Sequence, residues 1–370
     1  MAERCAAGAG VRHVGRAAIS LLAITMTLQG CLLMREQSPP AATVGGAALR
    51  ASRELLGRYA RAGMLAAPDP VTFVGTLRTL AGSRADSGLV LIALSLPTRS
   101  LTFAREGNRY RAAYDVAVEF RQADSVLHRI TTRQAVRVST YSETVRDDES
   151  VIFQEMAQVV PGSYDVSVTV RDSATGARGV STMPFFVPRL AAGELAAPVV
   201  VHQATGRVRR DSAPELLMNP RATLAHDRDT LLHVYVEGYG LQVPTQVGYV
   251  VQDTRGRALQ RDTMSLTRAD SALVGWDHGV VSGVITVRTR RLDPGQYWLG
   301  TWRVGASDSS WTPFFILQGD RLAQGGAAYD GAISRAGGGG GNARLQQLDA
   351  RAYGVAQRRN FLTKSGGLRK

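Results

Sequence analysis

The stretch Pro161-Gly162-Ser163-Tyr164-Asp165-Val166-Ser167-Val168-Thr169-Val170 has a counterpart later in the chain, Pro294-Gly295-Gln296-Tyr297-Trp298-Leu299-Gly300-Thr301-Trp302. Each copy is followed by a second shared motif, Pro184-Phe185-Phe186 after the first and Pro313-Phe314-Phe315 after the second. Motifs that recur in the same order indicate an internal repeat. The sequence therefore predicts two copies of one structural unit.

The residues of this stretch predict a turn that leads into a β-strand. Proline presets φ, and glycine accepts the positive φ that a type II turn requires. After the turn, apolar and polar residues alternate with the period of a half-buried strand. A tyrosine at this point resembles the tyrosine corner of immunoglobulin-like and fibronectin type III sandwiches. We therefore predict that Tyr164 and Tyr297 are structural, with inward rings and hydroxyls bonded to backbone a few residues upstream.

The rest of the sequence favours an all-β fold of two tandem immunoglobulin-like β-sandwich domains, at residues 68–188 and 198–318. Strand-like segments recur at regular spacing with polar turns between them. Residues 205–228 lack this pattern and are predicted to form an interdomain loop. The predicted strands are 71–77, 89–96, 110–120, 135–141, 151–159, 164–170 and 180–187, then 199–203, 231–237, 246–252, 280–287, 297–304 and 311–317.

Residues 1–31 have the features of a bacterial lipoprotein signal segment. Three arginines precede an apolar run at 17–28, which is too short to span a bilayer. The run leads into Leu28-Gln29-Gly30-Cys31, which resembles a lipobox, so we expect lipid modification of Cys31 and a membrane as partner through this anchor. An uncleaved membrane anchor is the alternative, because residues 32–34 extend the apolar run.

The segments that flank the sandwiches have a different composition. Residues 32–67 are predicted to be a tether and one short amphipathic helix, the helix lying within 46–64. Residues 319–370 include five consecutive glycines, both lysines of the chain and little periodicity, which predicts a disordered, basic tail. The break in composition favours the hypothesis that this tail arose by frameshift or truncation.

Several motifs occur in an order that is similar to a known family. They are Ser95-Leu96-Pro97, Leu101-Thr102-Phe103-Ala104-Arg105-Glu106-Gly107, Arg111-Ala112-Ala113-Tyr114-Asp115-Val116, Glu143-Thr144-Val145-Arg146-Asp147-Asp148-Glu149-Ser150-Val151-Ile152-Phe153-Gln154, Asn219-Pro220-Arg221-Ala222-Thr223 and Tyr235-Val236-Glu237-Gly238-Tyr239. This order resembles the N-terminal part of the GWxTD-domain proteins, bacterial envelope lipoproteins of unknown function. The naming motif is absent, since Gly275-Trp276-Asp277-His278 matches only its first two letters. The resemblance implies a β-rich outer-membrane lipoprotein that faces the periplasm, and it implies no activity.

Charge and motif content argue against several function classes. The formal net charge is +13, but the tail carries nine basic and three acidic residues, so the sandwiches are only mildly basic. Their arginines are scattered, which favours a solvated surface over nucleic-acid binding, with anionic lipid headgroups as the better alternative. The histidines lack metal-binding spacing, and neither a nucleophile elbow nor a phosphate-binding loop is present. We therefore predict no nucleic-acid partner, no metal, no cofactor and no catalytic residue.

The remaining candidate sites are two acidic clusters and a carboxylate pair. His226, Asp227 and Asp229 are interpreted as a turn and not as a metal site. Residues 147–149 are acidic but lack the alternating ligands and central glycine of a Ca²⁺ loop. A carboxylate pair for glycoside hydrolysis stays open, because such pairs meet in space and not in sequence.

The four tryptophans all lie in the second predicted sandwich. In the strand that begins with Tyr297, alternation places Trp298 and Trp302 on the face away from the core, where they would form a platform for sugar rings or for a protein. The favoured alternative is that Gly300 forms a bulge that buries one tryptophan, or that the first sandwich covers this face.

These observations predict a non-catalytic, lipid-anchored cell-envelope protein whose two β-sandwich modules bind a protein or polymer partner. One alternative is an envelope glycan-binding or glycan-processing protein that uses the aromatic residues of the second domain. Another is a truncated GWxTD protein whose activity lay in the missing C-terminal domain.

Overall fold

The computed structural model of the chain describes residues 42–145, 150–266 and 279–318. In these ranges the chain is all-β, with eighteen strands, two α-helices and one turn of 3₁₀-helix. The described residues from Ala51 onward belong to one compact unit.

The first sandwich consists of two sheets that enclose an apolar core. Sheet 1 has the order β1-β2-β3-β7, and sheet 2 has the order β4-β5-β8-β9 with β6 paired to β5. A short helix, α2 (Tyr141–Thr144), follows β6. The strands are β1 Leu65–Ala67, β2 Phe73–Ala81, β3 Gly88–Pro97, β4 Ala104–Glu106, β5 Arg109–Gln122, β6 Ser125–Val138, β7 Ser150–Val159, β8 Gly162–Asp172 and β9 Arg178–Val187.

The second sandwich has the same two-layer construction. Sheet 3 has the order β11-β10-β13-β16, and sheet 4 has the order β12-β18-β17-β14-β15. The pair β12–β18 is parallel. The strands are β10 Val199–Gly206, β11 Glu215–Met218, β12 Thr223–Ala225, β13 Leu231–Tyr239, β14 Thr245–Asp253, β15 Ala258–Leu266, β16 Val280–Arg288, β17 Gly295–Arg303 and β18 Ser309–Leu317.

The all-β prediction is confirmed, but several local predictions were wrong. The region 205–228 contains β11 and β12, so it is not simply a loop. Strand β6 begins at Ser125 and not at 135, and Tyr141 lies in α2. Strand β15 was missed altogether. Strands β6 and β15 are largely exposed, and the apolar alternation that identifies a strand is correspondingly weak in them.

The helix α1 (Ala42–Arg61) precedes the first sandwich and is terminated by glycine. Gly63 has φ of 74°, its N–H donates to the carbonyl of Ala60, and the N–H of Met64 donates to the carbonyl of Tyr59. This is the Schellman pattern, which satisfies the last carbonyls of a helix. The helix predicted within 46–64 therefore begins and ends earlier. In the described part of the chain, no helix combines the length and apolarity needed to cross a bilayer.

The two copies of the repeat have the same register. Tyr164 of β8 is opposite Phe185 of β9, and Tyr297 of β17 is opposite Phe314 of β18. The proline of each Pro-Phe-Phe motif is opposite the residue after the tyrosine. The repeated sequence thus encodes the same hairpin in both sandwiches.

Sheet 1 is buried on both of its faces. All ten residues of β3 are buried, because alternate side chains point into different clusters. Val90, Ile92 and Leu94 face the core of the first sandwich, whereas Leu89 and Leu91 pack with residues of sheet 3 such as Tyr235 and Tyr239. A strand that is covered on both sides reads as a continuous apolar run. The two sandwiches are therefore joined by an apolar interface and not only by the chain between them.

Candidate functional site

The repeated tyrosines form equivalent hydrogen bonds. The hydroxyl of Tyr164 donates to the carbonyl of Val160 at 2.7 Å, and that of Tyr297 donates to the carbonyl of Asp293 at 2.6 Å. Each acceptor lies four residues upstream, as in a tyrosine corner. Burial raises the pKa of both phenols, which favours the protonated, donating form.

The glycines of the two Pro-Gly turns differ from the prediction. Gly162 has a φ of 158°, far from the roughly 80° that a type II turn requires at its glycine, and Gly295 is not at positive φ. Each of them is already the first residue of its strand. A type II turn with glycine in its left-handed position is therefore not what places the tyrosines.

The outer face of sheet 4 carries the aromatic residues that the sequence placed there. On β17, Tyr297, Leu299 and Thr301 are buried toward the core. Trp298 and Trp302 lie on the opposite face and are half-buried. The pairing of β17 with β14 and β18 runs through Gly300 without a register shift, so the bulge favoured from the sequence does not form.

Trp311 of β18 completes this aromatic face. It is opposite Gly300, and a β-carbon on Gly300 would lie 2.7, 2.8 and 2.9 Å from Cη2, Cζ3 and Cε3 of its indole. A point nearly equidistant from three consecutive carbons of a six-membered ring lies close to the axis of that ring. The flat face of Trp311, and not its edge, therefore covers Gly300. The side chain is still 39% exposed, so its indole remains accessible.

The Trp302 side chain packs over a glycine of the neighbouring strand and contacts an arginine. It is opposite Gly248 on β14, where a β-carbon would overlap its indole. The guanidinium carbon of Arg261, on β15, lies 5.6 Å from the centroid of the Trp302 ring, within the range of a cation–π contact. Such cross-strand packing of aromatic side chains over glycine fixes strand register. We name the surface formed by Trp298, Trp302, Trp311 and Arg261 the aromatic face.

A second cluster of polar residues lies between the sandwiches. Arg207 Nη2 is 2.6 Å from Glu237 Oε1, and both side chains are fully buried. The hydroxyls of Tyr235 and Tyr239 each donate to Glu237 at 2.6 Å. Arg207 also donates to the carbonyl of Ala81 in β2, and the Ala81 N–H donates to Tyr239. We name these residues the interface network.

The interface network is satisfied internally and has no access to solvent. Burial opposes the charge on Arg207, but Glu237 outweighs it and raises the pKa of the guanidinium. Burial, reinforced by Glu237, raises the pKa of Tyr235 and Tyr239, so both remain donors. A buried charge pair is tolerated when hydrogen bonds complete its shell. We interpret this network as the polar part of the junction between sandwiches and not as a site for substrate.

The residues around His226 form a turn, as interpreted from the sequence. The side chain of Asp229 accepts a hydrogen bond from the N–H of Ala225 at 2.7 Å, and His226 Nδ1 lies 2.9 Å from Asp227 Oδ2. A pocket of about 120 Å³ lies beside them. Among the described residues, no group of three or more His, Cys, Asp or Glu side chains is arranged to hold a metal.

Several sequence predictions fall on residues outside the described ranges. They include lipidation at Cys31, the acidic run 147–149, the Gly275-Trp276-Asp277-His278 motif and the tail 319–370.

Two features of the structure were not predicted from the sequence: the packing of Trp311 beside Trp298 and Trp302, and the interface network. Trp311 was detectable, because the shared Pro-Phe-Phe motif sets the register that places it opposite Gly300. The interface was detectable in part, because residues 89–94 are apolar on both faces of a strand.

Comparison with known proteins does not assign a family. No family model and no curated protein matches the chain. Among solved structures, it is similar to β-glucuronidase of Bifidobacterium dentium in complex with coumarin-3-O-glucuronide, at 10% identity and a TM-score of 0.20. The similarity covers 67% of this chain and 44% of that one, so the chain spans less than half of that protein. At this TM-score, the similarity carries no argument about function.

Proposed function

We propose that this chain is a non-catalytic, lipid-anchored protein of the cell envelope, whose joined β-sandwiches present the aromatic face to a protein or polymer partner. The observation that carries the proposal is the exposed indole of Trp311, whose opposite face lies on Gly300. A large aromatic side chain at the solvent boundary supports binding, because contact with a partner removes apolar surface from water.

The geometry of the aromatic face supports binding in a second way. Trp311 and Trp302 pack against backbone at glycine positions, and Trp302 is also held by Arg261. Restrained side chains lose little conformational entropy when a partner binds. The interface network supports the same view, since it fixes the sandwich that carries the face to its neighbour.

Retention of envelope material on the immobilised protein tests the binding part of this proposal. The full chain is compared with a variant in which Trp298, Trp302 and Trp311 are replaced by serine. We expect the native chain to retain a component that the variant loses, and circular dichroism checks that the variant keeps its fold. Equal retention by both proteins would refute the role of the aromatic face.

The anchor is tested separately, in a bacterial host that is supplied with a palmitate analogue. We expect labelling of the native chain and none of the Cys31→Ser variant. Labelling that persists in the variant would remove the lipid anchor from the proposal and leave the binding part untouched.

A further inference from the structure

The aromatic face has a regular arrangement along β17. Successive outward residues of a strand are separated by about 6.6 Å, so Trp298, Gly300 and Trp302 define three evenly spaced rows. The middle row is occupied by the Trp311 ring, and the Trp302 ring lies over Gly248 of β14. Each of the three rows thus holds one indole. The glycine that the ring covers lies on β17 in the middle row and on β14 in the row of Trp302.

Polar groups surround these rings. Alternation places Gln252 of β14 and Thr263 of β15 on the same face, and Ser309 of β18 is opposite Trp302. The indole N–H of Trp311 donates to Ser309 Oγ at 3.1 Å. Apolar ring surfaces flanked by hydroxyl and amide groups match a pyranose, which has apolar C–H faces and a rim of hydroxyls.

The charge on this face restricts the partner further. In the strands β14, β15, β17 and β18, alternation places one charged side chain on this face, Arg261. It is exposed, and its guanidinium lies over the ring of Trp302. A guanidinium prefers a carboxylate, with which it forms paired, charge-assisted hydrogen bonds. The described strand residues thus give this face a positive charge and no carboxylate, which is complementary to an acidic ligand.

We infer that the aromatic face binds an acidic glycan, a chain of pyranose units of which at least one carries a carboxylate beside Arg261. This inference rests on the proposed function and names its partner class. Sugar rings pack on the indoles of Trp298 and Trp311, and the carboxylate pairs with Arg261 at the Trp302 end. The inference requires no chemical change in the glycan.

The test is titration of the full chain with a panel of soluble oligosaccharides, in which binding is measured by tryptophan fluorescence and by calorimetry. The panel holds uronate- and muramate-containing oligosaccharides and their neutral counterparts of equal length. We expect acidic members to bind more tightly than neutral ones. Arg261→Gln should reduce acidic binding to the neutral level, and Trp311→Ala should weaken all binding by about tenfold or more.

The control variant is Leu231→Ala, which removes a side chain that is 42% exposed on β13 of the opposite sheet. It should bind like the native chain. The inference would be overturned if acidic and neutral oligosaccharides bound equally well, or if binding were unchanged in Trp311→Ala. It would also be overturned if no acidic member of the panel bound.

Digestion of the retained envelope material distinguishes a failure of the glycan inference from a failure of the proposed function. Material that depends on the tryptophans but is removed by protease, and not by glycan hydrolases, would refute the glycan and leave the proposed function standing. Retention that never depends on the tryptophans would refute both.

Discussion

The hairpins β8–β9 and β17–β18 are copies of one motif that differ on their outer faces. Inside, both pair a tyrosine with a phenylalanine and bond the tyrosine hydroxyl to a carbonyl four residues upstream. Outside, Asp165 corresponds to Trp298, and Phe186 corresponds to Phe315. Phe186 is 65% exposed, whereas Phe315 is 1% exposed and packs edge-on against Tyr59 of α1.

This difference shows which half of the motif determines the fold. The inward residues must fill a sandwich core, so the tyrosine and phenylalanine recur at the same parity in both copies. The outward residues respond to local neighbours, which are solvent in one copy and a helix or indole rings in the other. The outer face of a repeated hairpin is thus free to acquire a binding role without changing the corner.

Replacement of the two equivalent phenylalanines by alanine should give the largest difference in the free energy of unfolding. Phe315→Ala removes a buried ring that contacts α1, and we expect a loss of about 3–5 kcal/mol in the free energy of unfolding. Phe186→Ala, at the same place in the first hairpin, should change it by less than about 0.5 kcal/mol. Denaturant unfolding measures both. Similar losses at the two positions would contradict the difference between the faces.

Phenylalanine at the two corner tyrosines tests their equivalence. Tyr164→Phe and Tyr297→Phe each leave one partly buried carbonyl without its donor, so each should cost about 1 kcal/mol. Tyr141→Phe serves as control, because this side chain is 64% exposed and we expect little change. If one corner variant is destabilised and the other is not, the copies are not equivalent in energy.

Alanine at Gly300 tests the packing of Trp311. The new methyl would lie 2.7 Å from the indole, so the ring must move. Because the ring is partly exposed and can rotate, we expect a loss of about 1 kcal/mol or less and a red shift in tryptophan emission. Gly295→Ala in the same strand is the matched control, since its β-carbon would meet Tyr297 at an ordinary 3.6 Å. An unchanged emission spectrum for Gly300→Ala would argue against the face-on ring.

The smallest effect is expected on the outer face of the first sandwich, which carries ion pairs in place of tryptophans. A hydrogen bond from Arg121, with further help from Arg129, lowers the pKa of Glu119. A lowered pKa stabilises the fold above the unfolded value of about 4.3, and this contribution is lost as pH falls through the folded pKa.

Glu119→Gln should therefore cost about 0.2–1 kcal/mol at pH 7, and this cost should shrink as pH falls toward 3. Unfolding of variant and native chain at both pH values measures this difference. Asp124→Asn, at the exposed turn between β5 and β6, is the control. A difference that does not shrink between pH 7 and pH 3 would mean that the charge of Glu119 is not its cause.

The features that follow from local alternation were predictable from the sequence. The Pro-Gly-Tyr and Pro-Phe-Phe motifs predicted a repeated strand pair, and alternation placed Trp298 and Trp302 away from the core. The prediction of a bulge at Gly300 was wrong. In the structure the ring of Trp311, from the neighbouring strand, covers the position where Gly300 lacks a side chain. A single strand does not reveal what its neighbour places over a glycine.

The apolar run 89–94 indicates a strand that is covered on both faces, but the polar contacts between the sandwiches were not predictable. Arg207 and Glu237 are thirty residues apart, and each reads as an ordinary polar residue of a strand or loop. Their burial results from the packing of sheet 1 on sheet 3, which no local pattern specifies. The burial of Phe315 likewise depends on where α1 packs, because alternation places this ring on the outer face of sheet 4, where Tyr59 covers it.

The burial of β3 on both faces limits how this architecture can evolve. If the first sandwich were separated from the second, the apolar face of sheet 1 that includes Leu89 and Leu91 would be exposed to water. An exposed apolar surface of this kind promotes aggregation. The two sandwiches share a repeated hairpin, but exchange of either one alone would expose this apolar surface, so we expect the two to be retained as a pair.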